Sequence, residues 1–314
     1  MSDPTFSVVI TAYEAAEVIA PAVESALAQT HPAHEVIVVD DGSTDDLAAA
    51  LAPFSGVELV RKENGGGASA RNAGVAAASG DFMAILDADD VFHPRRLEAI
   101  FELARRQPEL DLIASDARFV VDGRTAGTFL EHNPFPTANQ RTAIFASCFP
   151  TGWPAVRISA LREVGGFDEG MRIAYDWDCW LQMILAGSAV GMVEEPLYDY
   201  TLRGGSLASG RIASLQERVK LLEKAVANPH LRPEERPALE RSLALHREQA
   251  ARAAIEAALH EAGDRGDLPR LALSRQLGWR TRCLAAMSML APGLGRRLAS
   301  VPPPPEQRFA EDAG

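Results

Sequence analysis

The chain of 314 residues contains little cysteine and no long hydrophobic run. Its three cysteines, Cys148, Cys179 and Cys283, are widely spaced and odd in number, which argues against a disulfide framework and for a reducing compartment. None of them forms a CxxC motif, which argues against a zinc cluster of the usual spacing. No window reaches the roughly 18 uninterrupted apolar residues of a membrane-spanning helix. We therefore expect a cytoplasmic protein that is soluble or attached to a surface.

Basic residues are also in short supply, with 31 Lys and Arg against 43 Asp and Glu and a formal net charge of -12. Because affinity for a nucleic-acid backbone comes mainly from Lys and Arg, this balance argues against a nucleic-acid partner. The hydrophobic share of 47% is typical of a packed globule and too high for a disordered chain.

Short β-rich runs alternate with helical patterns through the first part of the chain. We predict strands at residues 6–10, 35–39, 57–60 and 82–86, each followed by a helix. This alternation indicates βαβ units and an α/β fold with a mostly parallel sheet flanked by helices. In such sheets ligands bind at the carboxyl ends of the strands.

The pattern loosens after about residue 94. Asp122-Gly123 lies between apolar runs and predicts a β-hairpin. A helix is predicted over residues 176–185, because its apolar side chains share one stripe. Residues 190–193 and 197–202 predict two further strands.

The composition changes again near residue 209, where the sequence becomes rich in Ala, Leu, Arg and Glu with helical periodicity. We predict three parts: an α/β domain over residues 1–209, a helical C-terminal extension over 210–300 and a flexible tail over 301–314. The tail is proposed because four consecutive prolines stand near its start.

Three carboxylates follow the predicted fourth strand, in the segment LDADD at Leu86–Asp90. Carboxylates this close repel one another unless a cation lies among them. Mg²⁺ is usually held by one or two carboxylates together with phosphate oxygens of a substrate. The alternative is a solvated turn in which an Asp caps the helix after Pro94.

A second acidic segment, VVDDGSTD at Val38–Asp45, follows the second strand. An Asp at this place can accept a hydrogen bond from the imide N–H of uracil or thymine, or from ribose hydroxyls. Gly42 permits a tight turn into the next helix. The alternative is that these acids only cap that helix.

The third segment is the glycine-rich NGGGASARNAG at Asn64–Gly74. Gly65–Ala70 matches the GxGxxA fingerprint of dinucleotide-binding loops, but that fingerprint belongs in the first βα turn and here it follows the third strand. A glycine-rich helix start with Arg71 one turn later favours a close approach to a diphosphate. A flexible loop before an ordinary helix is the alternative.

Taken together, six segments resemble the family 2 glycosyltransferases with a GT-A fold, over about residues 5–209. The segments are SVVITAYE at Ser7–Glu14, VVDDGSTD, NGGGASARNAG, LDADD, GGFDE at Gly165–Glu169 and YDWDCWLQM at Tyr175–Met183. The resemblance implies an inverting transfer of sugar from a nucleotide diphosphate-sugar, most simply UDP- or dTDP-linked, to a hydroxyl acceptor in cell-surface polysaccharide or glycolipid biosynthesis. Single additions are expected, because the QxxRW signature of processive synthases is absent.

The resemblance also implies roles for individual residues. Asp176 would be the general base, Asp89 the principal ligand of Mg²⁺ or Mn²⁺, and Asp87 a second ligand near the ribose. The residues implied to bind the nucleotide and its diphosphate are Thr11, Tyr13, Glu14, Asp40, Arg71, Asp87 and Arg203. Two positions depart from the family pattern: Tyr175 stands where an acid is common, and Thr11 where Pro often stands. Without the resemblance, Asp176 is equally well explained as the N-cap of its helix.

Two other functions are compatible with these segments. A nucleotidyltransferase also uses carboxylates and a cation, but residues 11–20 contain no Lys or Arg for a triphosphate. A non-catalytic nucleotide-sugar binding protein is favoured if the Tyr175 departure removes activity.

A further hypothesis concerns residues 269–300. No acid occurs between Pro269 and Pro305, while six arginines flank a short apolar stretch. A basic amphipathic segment can lie on an anionic membrane surface, which would bring the enzyme to a lipid-linked acceptor at the inner face of the membrane. The alternative is packing against the α/β domain or a partner subunit.

Overall fold

The computed structural model describes residues 3–202, 210–260 and 267–290. The chain divides into two compact units, Met1–Arg203 and Gly204–Gly314. Within the described ranges, every strand belongs to the first unit and the second is helical. No helix in these ranges has the length and apolar character needed to cross a membrane.

The first unit is organised around one sheet, which has nine strands in the described part of the chain. The strands are β1 Phe6–Ala12, β2 Glu35–Asp40, β3 Val57–Arg61, β4 Phe82–Asp87, β5 Val91–Phe92, β6 Leu110–Val121, β7 Arg124–Thr128, β8 Ala155–Arg157 and β9 Ala189–Leu202. Their order is β3-β2-β1-β4-β8-β6-β9-β5, with β7 paired to β6. The first four strands in this order are parallel, whereas β8 is antiparallel to both of its neighbours, so the sheet is mixed.

Helices flank this sheet and connect its strands. They are α1 Ile19–Leu27, α2 Leu47–Leu51, α3 Gly67–Ala77, α4 Arg96–Arg106, α5 Phe129–His132, α6 Gln140–Ala143, α7 Ile158–Glu163 and α8 Tyr175–Ala186. Almost every residue of β1, β2 and β4 is buried, because strands covered on both faces must be apolar on both faces. This double burial explains why their continuous hydrophobic runs could be read from the sequence.

The predicted hairpin is confirmed, and the later strands differ from the prediction. Asp122 and Gly123 have φ values of 49° and 73°, the left-handed conformation that a tight two-residue hairpin turn requires. Residues 190–193 and 197–202 are not two strands but parts of the single strand β9, which shifts register on β6 where it passes Pro196.

The described part of the second unit contains four helices: α9 Arg211–Val226, α10 Arg236–His260, α11 Leu268–Leu273 and α12 Trp279–Leu290. One small apolar cluster joins α10, α11 and α12 through Ile255, Leu259, Leu268, Leu284 and Ala285. The α11–α12 connection is also tied to α10, since Glu248 accepts hydrogen bonds from Gly278 and Thr281.

Candidate active site

The carboxyl ends of β1, β2 and β4 bring three of the predicted site residues to one edge of the sheet. Thr11 of β1 is in register with Asp87 of β4, and the next residue, Ala12, is in register with Asp40 of β2. This is the edge at which parallel α/β sheets bind ligands. The site therefore starts from a short row of polar side chains on adjacent strands.

Arg71 reaches this edge from the second turn of α3. Its Nη2 lies 3.3 Å from Asp87 Oδ1, and the same oxygen accepts from the hydroxyl of Thr11 at 3.2 Å. The guanidinium lies 5.0 Å from the ring centre of Tyr175 and 5.7 Å from that of Phe167, within range of a cation–π interaction. Arg71 is thus held by one carboxylate and two aromatic rings.

The guanidinium of Arg71 is buried but not fully hydrogen-bonded. Only 3% of the residue is exposed, and its buried Nε and Nη1 have no hydrogen-bond partner. Burial disfavours the charge, but the electrostatic effect of nearby groups, the carboxylates of Asp87 and Asp176 among them, outweighs it and raises the pKa of Arg71. A buried cation with unused donors is suited to receive an anionic ligand, because unsatisfied buried donors cost about 1–3 kcal/mol each.

Asp41 fixes the glycine-rich loop that precedes α3. This buried carboxylate accepts from Lys62 Nζ at 2.7 Å and from the backbone N–H groups of Gly65 and Gly66 at 3.0 and 2.7 Å. Gly66 is the N-cap of α3 with a φ of 85°, which explains why glycine stands there. Asp41 was not among the predicted site residues, although the two adjacent acids at residues 40 and 41 were a visible signal.

Asp40 is buried at the end of β2 and is already partly engaged. Its Oδ1 accepts from the backbone N–H of Ser43 at 2.8 Å, and its Oδ2 lies 3.3 Å from Arg61 Nε. The cap of α2 is instead Asp46, which accepts from Ala49 N. Asp40 therefore shapes the β2–α2 turn without capping the helix.

Tyr13 and Glu14 follow β1 on the same side of the sheet. Tyr13 is 55% exposed, and Glu14 has a φ of 50°, uncommon for a residue other than glycine. The Glu14 carboxylate accepts from the backbone and the hydroxyl of Thr44, and the Glu14 N–H donates to Ser43 Oγ. Glu14 thereby joins the β1 and β2 loops.

The three carboxylates of LDADD have different environments. Asp87 is 32% exposed at its side chain, and Asp89 is partly buried. Asp90 is buried, and it accepts hydrogen bonds from the Tyr198 hydroxyl at 2.7 Å and from Thr201 N at 2.8 Å. Burial, reinforced by the charge of Asp87, raises the pKa of Asp90 to about 8. Asp90 therefore ties the segment after β4 to β9, whereas Asp87 and Asp89 are more accessible to solvent.

The two more accessible carboxylates fit a divalent cation that is shared with a substrate. They offer only oxygen donors, which Mg²⁺ and Mn²⁺ accept. Among the described residues, no group of three His, Cys, Asp or Glu side chains could hold a metal alone. Asp87 and Asp89 would then need phosphate oxygens to complete the coordination, as is usual for Mg²⁺.

The capping alternatives for LDADD and for Asp176 are wrong. The helix after Pro94 has Arg95 at its N-cap and no side-chain cap hydrogen bond. At the start of α8 the N-cap is Ala174, and Asp176 lies inside the first turn. Asp176 Oδ1 accepts from Trp177 N at 2.7 Å, which fixes one carboxylate oxygen at the helix start.

The protonation of Asp176 reflects its position near the buried cation. Burial raises the pKa of Asp176, and Arg71 opposes this rise. A carboxylate with a raised pKa is a stronger base once it is ionised. Asp176 can therefore remove a proton from a ligand near Arg71.

An aromatic stack, for which the sequence contains no motif, borders the acidic residues. Trp153 stacks on Tyr198 and Tyr200 with ring centres 4.7 and 5.1 Å apart. Burial, together with the charges of LDADD and Asp176, raises the pKa of Tyr200 to about 12. Trp153 therefore links Tyr200 to Tyr198, whose hydroxyl donates to Asp90.

One predicted site residue, Arg203, lies outside the described residues. The same is true of residues 291–300 in the predicted membrane-binding segment.

Comparison with known proteins assigns the family. The model of the family "Glycosyl transferase family 2" matches residues 7–165, half of the chain. The chain belongs to glycosyl transferase family 2. This is a family of glycosyltransferases, and the fold of the chain is the GT-A fold that the sequence predicted.

Individual curated relatives are similar over more than half of the chain. The succinoglycan biosynthesis protein ExoO of Rhizobium meliloti is 34% identical over 220 residues, which cover 65% of this chain and 63% of ExoO. An uncharacterized glycosyltransferase of Rickettsia prowazekii is 28% identical over 193 residues, or 59% of this chain and 60% of that protein. The chain thus spans less than two thirds of the length of these curated relatives.

A solved structure shares the fold at low sequence identity. Staphylococcus aureus TarS 1-349 in complex with UDP-GlcNAc superposes with a TM-score of 0.69 at 19% identity, covering 94% of this chain and 90% of TarS.

Proposed function

We propose that this glycosyltransferase moves one sugar at a time, with inversion, from a nucleotide diphosphate-sugar to a hydroxyl acceptor in cell-surface polysaccharide or glycolipid biosynthesis. The observation that carries the proposal is the buried Arg71, whose free N–H donors lie in a site that also contains Asp87 and Asp176. The names of ExoO and of the TarS complex with UDP-GlcNAc support the biosynthetic role and the donor class.

The donor is proposed to bind along the strand ends, and a UDP- or dTDP-linked sugar is the simplest choice. Asp40 would accept from the base or ribose, and Thr11, Tyr13 and Glu14 would complete the nucleotide pocket. The unused Nε and Nη1 of Arg71 would donate to the diphosphate, where a planar guanidinium offers paired hydrogen bonds. Arg203 is proposed as a second diphosphate contact.

Asp176 is proposed as the general base. It removes the proton of the acceptor hydroxyl while that oxygen bonds to the anomeric carbon. The bond from the anomeric carbon to the diphosphate oxygen breaks on the opposite face, and the nucleoside diphosphate leaves with the electron pair. Attack opposite the leaving group inverts the anomeric configuration.

Asp89 and Asp87 would hold Mg²⁺ or Mn²⁺ together with the diphosphate. When bound, the cation supplies positive charge that stabilises the departing diphosphate. Arg71 contributes to the same stabilisation from the protein side, because its charge is fixed in a buried place.

The base is tested with Asp176→Asn in an assay of nucleoside diphosphate release from donor plus acceptor. The amide keeps the shape and cannot accept the proton, so we expect release to fall by about 10²–10⁴ while nucleotide binding is retained. Asp178→Asn, two residues along the same helix, is the matched control. Full activity of Asp176→Asn would show that another group is the base.

We also propose that the α11–α12 region of the second unit contacts an anionic membrane surface, where a lipid-linked acceptor would lie. Leu273 is 77% exposed and Trp279 69% exposed, and Arg280 packs over the Trp279 ring at 5.5 Å. Residues 268–290 contain four arginines and no acid in a chain of net charge -12. Exposed Trp beside Arg is typical of a membrane interface.

Vesicle flotation tests the membrane contact with phosphatidylglycerol against phosphatidylcholine vesicles. Each arginine near an anionic surface contributes about 1 kcal/mol, so Arg275→Ala with Arg280→Ala should weaken binding roughly 30-fold. Replacing the exposed Arg105 and Arg106 of α4 by Ala is the control with equal charge change. If the unaltered protein does not float with phosphatidylglycerol vesicles, the α11–α12 region does not bind an anionic membrane.

A further inference from the structure

The backbone of residues 151–153 is fixed on both sides of Gly152. Thr151 has a φ of 70°, which is strained for a β-branched residue and persists only where its surroundings enforce it. The indole of Trp180 donates to Thr151 O at 2.7 Å, and Arg96 Nη2 donates to Trp153 O at 2.6 Å. Both donors are fully buried, so this segment has little freedom to move.

Gly152 is next to the proposed base. A Cβ added to Gly152 would lie 2.9 Å from Asp176 Oδ2, which is the single heavy atom within 4 Å among described residues outside 151–153. The φ of Gly152 is not in the left-handed region, so no backbone strain requires glycine. Gly74 differs, because its added Cβ would be 2.4 Å from Val9 in the core. Packing explains Gly74, whereas among the described residues outside 151–153 a Cβ added to Gly152 would meet only the Asp176 carboxylate.

Asp176 itself has one fixed oxygen and one directed at this space. Oδ1 accepts from Trp177 N, whereas Oδ2 lies beside Gly152. With Asp176 proposed as the base, Oδ2 is the oxygen that borders the space beside Gly152. A hydroxyl group must reach within about 3 Å of it.

We propose that Gly152 is a positioning residue for the acceptor: it keeps open the space beside Asp176 Oδ2 that an acceptor hydroxyl occupies. The inference rests on the proposed role of Asp176 as the base. Because the backbone is held by Trp180 and Arg96, a methyl group at residue 152 is accommodated by rotation of the Asp176 carboxylate. Gly152 thus acts on catalysis through the base and has little effect on folding.

The test is Gly152→Ala in the full chain. A base displaced by about 1 Å can lose 10²-fold in rate, so kcat for transfer should fall roughly 10- to 100-fold while the donor KM and the thermal midpoint stay near the original values. The control is Gly210→Ala, where the same added methyl meets nothing within 4 Å. A glycine needed only for folding would instead lower the midpoint and weaken donor binding together.

A double-mutant cycle with Asp176→Asn separates this inference from the proposed function. If Gly152 acts through the base, adding Gly152→Ala to Asp176→Asn causes no further loss, whereas independent effects would multiply. Multiplying losses, or full transfer by Gly152→Ala alone, overturn the inference and leave Asp176 as the base. Full transfer by Asp176→Asn alone overturns the base assignment itself.

Discussion

At the scale of single residues, the site depends on an arginine supported by an aromatic ring where the resemblance predicted an acid. Tyr175 lies under Arg71, and its hydroxyl borders α3, since a Cβ added to Gly67 would be 2.5 Å from it. The ring stabilises the cation without adding a negative charge next to Asp176. Tyr175 therefore supports Arg71 with its ring at the position where an acid is common in the family.

This replacement predicts different outcomes for two substitutions of Tyr175. Tyr175→Phe keeps the ring and should leave the donor KM within about 3-fold. Tyr175→Leu removes the cation–π contact, worth about 1–2 kcal/mol at a desolvated site, and should raise the donor KM roughly 5- to 30-fold. Steady-state kinetics with varied donor measures both. Equal donor KM values for the two variants would show that the ring does not support donor binding.

At the scale of elements, a buried histidine makes the stability of α10 depend on pH. His246 is 2% exposed, and its Nδ1 lies 2.9 Å from Ser242 O one turn earlier. Burial lowers the pKa of His246 below its ordinary value of 6.5, more than the contact with Ser242 raises it. The native helix therefore binds a proton less readily than the unfolded chain does.

Because the pKa of His246 is lower in the folded chain than in the unfolded chain, the stability of the fold should decrease as the pH falls. The contribution of neutral His246 to the free energy of unfolding is fully present above about pH 6.5. Below that pH it declines by at most about 1.4 kcal/mol per pH unit. Hydrogen-exchange protection of α10 amides should therefore decrease between about pH 7.5 and about pH 5.5. His246→Gln should remove most of this decrease. The control His230→Gln, at an exposed histidine, should not. An unchanged decrease in His246→Gln would exclude His246 as its source.

The strands differ in how far they could be predicted from the sequence. Strands β1, β2 and β4 were predictable because double burial gives uninterrupted apolar runs. The strand β9 was read as two, because Glu194 and Glu195 interrupt its apolar pattern. Gly152 and Asp176 carry no shared motif; they meet only through tertiary contacts such as the Trp180–Thr151 hydrogen bond. Residues at strand ends could be predicted, and those brought together by distant loops could not.

At the scale of the whole molecule, ligand binding should be visible as stability. A ligand that binds only the folded chain adds about 2.7 kcal/mol at 100 times its Kd, so UDP or dTDP with Mn²⁺ should raise the thermal midpoint. Asp89→Asn should lose the increment due to Mn²⁺ and retain the increment due to nucleotide. Asp122→Asn, an equal change at the exposed hairpin turn, is the control. The same Mn²⁺ increment in Asp89→Asn would place the cation elsewhere.

The hydrogen bonds that Asp41 accepts from the glycine-rich loop and from Lys62 affect the resistance of this segment to proteases. Trypsin cleaves after Arg and Lys, so the peptide bonds after Arg61 and Lys62, shortly before three successive glycines, would ordinarily be candidate cleavage sites. Because one buried carboxylate binds Lys62 and two of the glycine amides, these peptide bonds cannot extend into a protease cleft unless that carboxylate releases them. Digestion after Lys62 would therefore report the release of this loop from Asp41.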